Sequence, residues 1–298
     1  MTFKENSSRI IKYDFGRKIL LGAFALFFSY SVANAAAECS NVRNPDVVIA
    51  VASNMWEPAQ SLAGNYTTYF SPNTVIQVCH DATGNLLKEI NGAVSCSTPS
   101  TESNYSLFLA ANATAPYEVC EDYKNSSVSN YTTGIPALWT KNGSLINNVT
   151  GIIDLDNLDI SGGKVAIANQ TKAPYGLAAQ KIMENATKQW DEISGGGYLN
   201  ILDNIDLTYL YVNATESSVG YIAYSRVCQN GSITDGYGKP YPDYGIAQAG
   251  IMIDQNNATK ESIAQGFWDY ILNNSTSSTD DAQYILQTGY CYGAPPSQ

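Results

Sequence analysis

The 298-residue chain has a single histidine, His80. That excludes most metal centres and most histidine-dependent nucleophilic triads, and it leaves an enzyme reading with no residues to assign. The six cysteines (39, 79, 96, 120, 228 and 291) contain no C-x-x-C pair. A thiol redox motif or a zinc site is therefore not expected. Basic residues are scarce, 16 Lys and Arg against 27 Asp and Glu. Such a surface repels phosphate backbones and anionic lipid, so neither nucleic acid nor a membrane surface is an expected partner. Beyond the first 35 residues no apolar run is long enough to span a bilayer. There is no short-period internal repeat.

The start of the chain reads as a secretory signal peptide over residues 1–35. Basic "RIIKYDFGRK" precedes apolar "ILLGAFALFFSYSVA", and Ala33–Asn34–Ala35 is a small-x-small cleavage signal. Glu38, directly before Cys39, spoils a lipoprotein signal. Removing the segment takes away five basic and two acidic residues, leaving a net charge near −14. The expected location is outside the cytoplasm, periplasmic or extracellular. All six cysteines follow the signal, and an even number in an exported chain points to structural disulfides. Six cysteines allow fifteen pairings, and the sequence does not choose among them. Asparagine usage is also unusual: 25 follow residue 35, and 14 of these sit in N-x-S/T. Serine and threonine make up roughly a sixth of the chain, so chance gives only about four such motifs. The pattern reads either as a glycosylated exported chain or as a bias toward polar turns.

Four stretches share one grammar of apolar strand, short polar turn and helical pattern. They are "DVVIAVA" with "SNMWEPAQSLAGNY", "TVIQVC" with "HDATGNLLKEING", "KVAIAN" with "QTKAPYGLAAQKIMEN", and "LNILDNIDLTYLYVN", which leads to the strand-like "SSVGYIAYS". Strands alternating with helices predict an α/β protein with parallel-rich sheets. "VSCSTPSTESN" (94–104) reads as an inserted loop, and "GSITDGYGKPYPDYG" (231–245) as a return to the first domain. "ESIAQGFWDYILNN" and "TDDAQYILQTGY" read as closing helices.

Each junction carries capping chemistry. Ser53 and Asn54 follow the first strand, and Asn54 with Glu57 has capping-box spacing. Asp81, Thr83 and Gly84 open the second helix, and Pro174, Tyr175 and Gly176 the third. Asp203 and Asn204 precede the fourth. Every such helix start presents unpaired N–H groups and the positive end of its dipole. Taken singly, these are ordinary caps.

Taken together and in order, they resemble the molybdate-binding proteins of ABC transporters. "VVIAVASNMWEPAQSLAGNY", "HDATGNLLKEINGAV", "YSLFLAANATAPYEV", "KVAIANQTKAPYGLAAQKIME", "SSVGYIAYSRV" and "ATKESIAQGFWDYILNN" carry the resemblance across most of residues 46–290. The fourth, with its Ala-Pro-Tyr-Gly, and the fifth are the most specific. The resemblance implies a two-lobed class II periplasmic-binding-protein fold of α/β class, each lobe a mixed, mostly parallel sheet flanked by helices. It implies residues 38–133 plus 241–298 in lobe 1 and 134–240 in lobe 2. It implies an oxyanion, molybdate or tungstate, in the cleft, no cofactor, no catalysis, a permease partner and a monomer. Carried over position by position, the ligand residues are Ser53 and Asn54, Thr83, the amide of Tyr175 and the amide of Ile205. A tyrosine hydroxyl used by some members falls at Ala223, with Tyr224 beside it.

The chemistry is consistent with that set. A tetrahedral dianion offers only acceptor oxygens, so neutral donors hold it, and only Lys172 is basic near these turns. Discrimination against sulfate then rests on cavity size. Asp81 departs from the family's small neutral residue. Either it caps its own helix facing away or the ligand differs, because a carboxylate turned into a dry cleft repels an oxyanion. The alternative reading is a receptor-like fold with a lost or altered ligand, serving as an exported surface or matrix protein.

Overall fold

Short runs of Val, Ile and Ala become the central strands of two sheets, as expected of strands covered on both faces. The computed structural model describes residues 37–92, 96, 104–229 and 231–273. The signal-peptide segment, most of the 94–104 insertion and "TDDAQYILQTGY" lie outside the described residues.

The first sheet has six strands. In hydrogen-bonded order they are Glu38–Cys39, Ile76–Asp81, Val47–Ala52, Leu107–Leu109, Ile246–Met252 and Ser129–Gly134. The second has five: Tyr237–Pro240, Pro136–Thr140, Val219–Ala223, Val165–Ala168 and Leu199–Leu202. The chain passes from the first sheet to the second between Gly134 and Pro136, and returns between Pro240 and Ile246. Each sheet thus belongs to one lobe.

Both sheets are mixed. Val47–Ala52 pairs in parallel with Ile76–Asp81 and Leu107–Leu109, and Val165–Ala168 pairs in parallel with Leu199–Leu202 and Val219–Ala223. The remaining pairings are antiparallel. They are more numerous than strand–helix alternation suggests, because Pro136–Thr140 and Ile246–Met252, next to the crossings, both join antiparallel.

Each sheet has its own core. In lobe 1, Ile49, Val51, Leu62, Leu109, Phe267 and Trp268 pack between the sheet and the helices Trp56–Tyr69 and Ala258–Asn273. In lobe 2, Leu138, Val165, Ile167, Ile182, Met183 and Tyr221 do the same against the helix Pro174–Ile182 and the turn that follows it.

The cysteines are paired as structural bridges. Cys39–Cys79 ties the short edge strand to its neighbour, where the two residues are already register partners. Cys96–Cys120 closes a second loop. Cys228 is also disulfide-bonded, and Cys291 lies outside the described residues. Loops of 40 and 24 residues put the contribution of each bridge at about 3–4 kcal/mol through the unfolded chain. Thermal melts with and without a reductant check this. The reduced protein is expected to melt well below the oxidised one, and equal melting points would contradict it.

Candidate functional site

Four helix starts meet between the lobes. On lobe 1, a short 3₁₀ turn, Ser53–Met55, leads into Trp56–Tyr69, and Thr83–Asn91 follows the second strand. On lobe 2, Pro174–Ile182 begins with proline in its first turn, and Ile205–Ala214 is capped by Asn204, whose Oδ1 accepts from the Leu207 amide at 2.9 Å. The four starts enclose a small hollow. Its walls are Ala52, Ser53, Asn54, Ala82, Thr83, Ala111, Ala173, Pro174, Tyr175 and Ile205. No charged residue is among them. The hollow is about 10 Å³, on the order of the free space one water needs. A wider cavity of about 650 Å³ adjoins it, sharing Thr83, Ala173 and Pro174.

The donors are unspent. Ser53 is 2% exposed, and its Oγ has no hydrogen-bond partner. A buried hydroxyl in that state costs about 1–3 kcal/mol until an acceptor arrives. Thr83 Oγ1 accepts from the Ala111 amide at 3.0 Å, which leaves its own proton free to donate. The amides of Tyr175 and Ile205 stand in the first turns of their helices, where no intrahelical carbonyl reaches them. Gly176 lets the third helix start close to its strand: a Cβ there would lie 2.1 Å from the Ala168 carbonyl oxygen.

Of the six residues expected from the sequence, Ser53, Asn54, Thr83, Tyr175 and Ile205 line this hollow. Asn54 has a different posture from that of a donor. Its Nδ2 donates to Gln248 Oε1 at 3.1 Å, and its Oδ1 is the atom left without a partner. Tyr224 lies elsewhere. It sits in a turn beyond the strand end, and its hydroxyl donates to the Gly231 carbonyl at 2.7 Å. Asp81 does not line the hollow. Its Oδ1 accepts from the Ala82 amide at 2.6 Å and, from the other lobe, from Asn204 Nδ2 at 3.4 Å, and its Oδ2 accepts from Asn85 Nδ2 at 2.9 Å, so donors hold both oxygens although neither caps a helix amide. Lys172 also keeps out, its Nζ 3.5 Å from Asp203.

The structure adds residues that local sequence reading passed over. Gln248, fully buried, lies beneath Asn54 and approaches the Tyr175 hydroxyl at 3.4 Å. Its one signal was a polar residue inside the apolar run "IAQAGIM". Burial holds the Tyr175 phenol neutral, so it adds no charge beside the site. Arg226 of lobe 2 reaches Glu57 of lobe 1 at 2.7 Å and Asp206 at 2.6 Å. These contacts are close but poorly aligned, since Arg226 Nη1 and Asp206 Oδ1 meet no hydrogen-bond geometry. They act as an ion-pair bridge between the lobes. The Gly84 amide donates to the Lys172 carbonyl at 2.9 Å, a second link across the cleft.

His80 stacks on Trp56 at 4.2 Å and is 4% exposed. Burial lowers its pKa, and Arg226 adds to this, against the opposing pull of Asp206, Glu38 and Asp81. The unfolded histidine takes up its proton near pH 6.5, before the native one does. Stability is therefore expected to fall as pH drops below about 6.5, until the native pKa is reached. Melts at pH 7.5 and 5.5 check this against His80→Gln, which should lose less stability over the interval. An equal loss in both proteins would contradict the assignment.

Among the described residues, no cluster of His, Cys, Asp and Glu has the makings of a metal site, and no helix is long and apolar enough to cross a membrane. Comparison with known proteins places this architecture. The molybdate-binding protein ModA of Rhodobacter capsulatus is 24% identical over 190 residues, which is 61% of this chain and 66% of that protein, just under two thirds of its length. The periplasmic molybdate-binding protein of Azotobacter vinelandii superposes with a TM-score of 0.64 at 18% identity, covering 82% of this chain and 97% of that one. An ABC-transporter substrate-binding protein from Agrobacterium tumefaciens gives 0.54 at 12% identity, covering 84% and 81%. These structural likenesses establish the two-lobed binding-protein fold. The disulfides fit an exported protein. A family model for bacterial extracellular solute-binding proteins matches residues 47–279, and the chain belongs to that family.

Proposed function

We infer that the chain is an exported receptor for a tetrahedral oxyanion, molybdate or tungstate, which it hands to the permease of an ABC importer without catalysis. The observation that supports this is the hollow lined by Ser53, Thr83, Tyr175 and Ile205 with no charged residue in its walls. Acceptor-only dianion oxygens suit a shell made of donors. Short charge-assisted bonds in a water-free cleft offset the loss of hydration. The similar proteins named above as molybdate-binding support the choice of anion. Asp81 is not in the lining of the hollow and has both oxygens held by donors, which answers the main objection to an anionic ligand. Titration calorimetry on residues 36–298 with molybdate, tungstate, sulfate and phosphate tests the reading. Tight binding of molybdate and tungstate, and weak or no binding of the other two, is expected. Indifference to all four anions would overturn it.

A further inference from the structure

We propose that Asn104, Asn125, Asn130, Asn148, Asn185 and Asn257 are acceptors for N-linked glycans. Each opens an N-x-S/T motif with no proline in the middle, and each is exposed. The stronger argument concerns Nδ2, the atom that carries the sugar. Of the fourteen motifs, eleven have described asparagine side chains. Among the described residues, none of these eleven donates an Nδ2 hydrogen bond to the protein. Eleven other described asparagines lie outside the motif, and five of them do: Asn54, Asn85, Asn91, Asn157 and Asn204. The two buried asparagines, Asn54 and Asn204, are both outside it. Asparagines that donate through Nδ2 therefore lie outside the motif, and motif asparagines keep Nδ2 free even where their Oδ1 caps a turn, as in Asn112, Asn142, Asn169 and Asn257. A simple bias toward polar turns accounts for the abundance of asparagine but not for this division.

Turn geometry is compatible with a sugar. Asn257 Oδ1 accepts from the amides of Thr259 and Lys260, a bond that attachment at Nδ2 leaves intact. In the transfer, Nδ2 loses one proton to solvent and bonds to the anomeric carbon of a saccharide carried on a lipid phosphate. The carbon–oxygen bond to the phosphate breaks, and the phosphate leaves with the electron pair. The lipid-linked donor and its transferase belong to the exporting cell.

The six sites leave the function open. None lines the hollow or the wider cavity. The half-exposed Asn112, on the wall of the wider cavity, is outside the proposed set, because a glycan there would stand in the cleft. Asn130 lies on Ser129–Gly134, an edge strand of the first sheet, where a bulky polar group blocks edge-to-edge pairing.

Intact-mass and glycopeptide mass spectrometry of the protein purified from its native source test the proposal. The expected result is mass beyond the mature polypeptide, with saccharide on peptides that span these asparagines. A sixfold Asn→Gln variant should lose that mass in the native host. Made without glycosylation, it should melt below the wild type only by as much as the single Asn257→Gln variant, which loses its Oδ1 cap, since no Nδ2 bond is removed. Polypeptide mass alone, or a sixfold variant that keeps all the added mass, would overturn the proposal. None of these outcomes depends on anion binding.

Discussion

Ser53→Ala combined with Thr83→Ala is expected to weaken oxyanion binding by roughly 10²–10⁴-fold, since each hydroxyl lost removes a charge-assisted hydrogen bond of about 1.5–3 kcal/mol. The two sites differ in what else they do. Ser53 Oγ has no partner in the protein, so Ser53→Ala strips no internal bond. The ligand-free single variant is expected to melt at or slightly above the wild-type temperature while its affinity falls. Thr83 Oγ1 also holds the Ala111 amide, so its alanine variant loses some stability as well. Thr83→Ser keeps both bonds and should keep binding. Calorimetry and thermal melts on the four proteins separate these outcomes. A Ser53→Ala protein that binds as tightly as wild type would remove Ser53 from the site.

Gly176→Ala is the second large effect. The added methyl would sit 2.1 Å from the Ala168 carbonyl oxygen and 2.7 Å from its carbon, both backbone atoms of the strand beneath. Backbone cannot swing aside as a flexible side chain does, so the helix start must lift. Overpacking of this kind costs about 1–3 kcal/mol. Lifting the helix also moves the neighbouring Tyr175 amide, and displacement of a binding group by an ångström costs on the order of 10²-fold in a preorganised site. Stability and affinity should therefore fall together. Gly64→Ala is the control, because a Cβ there meets nothing within 4 Å. In an exposed helix interior it is expected to be neutral or to stabilise by about 0.5–1 kcal/mol. Unchanged affinity in Gly176→Ala would show that the third helix start does not contribute to the site.

What the sequence made legible is local. The strand-to-helix junctions appear in the order of apolar runs, caps and the Pro174–Gly176 turn. These depend on residues a few positions apart, and the structure brings four such junctions to one hollow. The illegible parts are long-range. Asn54 gives its amide to Gln248, 194 positions away, and nothing near Asn54 announces that partner. The Arg226 bridge to Glu57 likewise joins lobes through residues far apart in the chain. Cysteine pairing was open for the same reason: fifteen solutions satisfy the spacing, and strand register selects Cys39 for Cys79. Tyr224 shows the limit of carrying a role to a neighbouring position. Beyond a strand end the chain turns, and the hydroxyl finds the Gly231 carbonyl instead of the cleft. Asp81 combines both ranges: its bond to the next amide is local, but nothing near it announces Asn204, 123 positions away, whose Nδ2 reaches the same oxygen.

The central claim is that neutral hydroxyls and helix-start amides, with no countercharge, enclose the anion. Anomalous diffraction from crystals of residues 36–298 grown with tungstate tests it most directly. The account predicts one strong tungsten peak between Ser53, Thr83, Tyr175 and Ile205, with ligand oxygens about 2.7–3.1 Å from their donors. A peak held instead by Lys172 and Lys181 on the wall of the wider cavity, with the hollow empty, would contradict it.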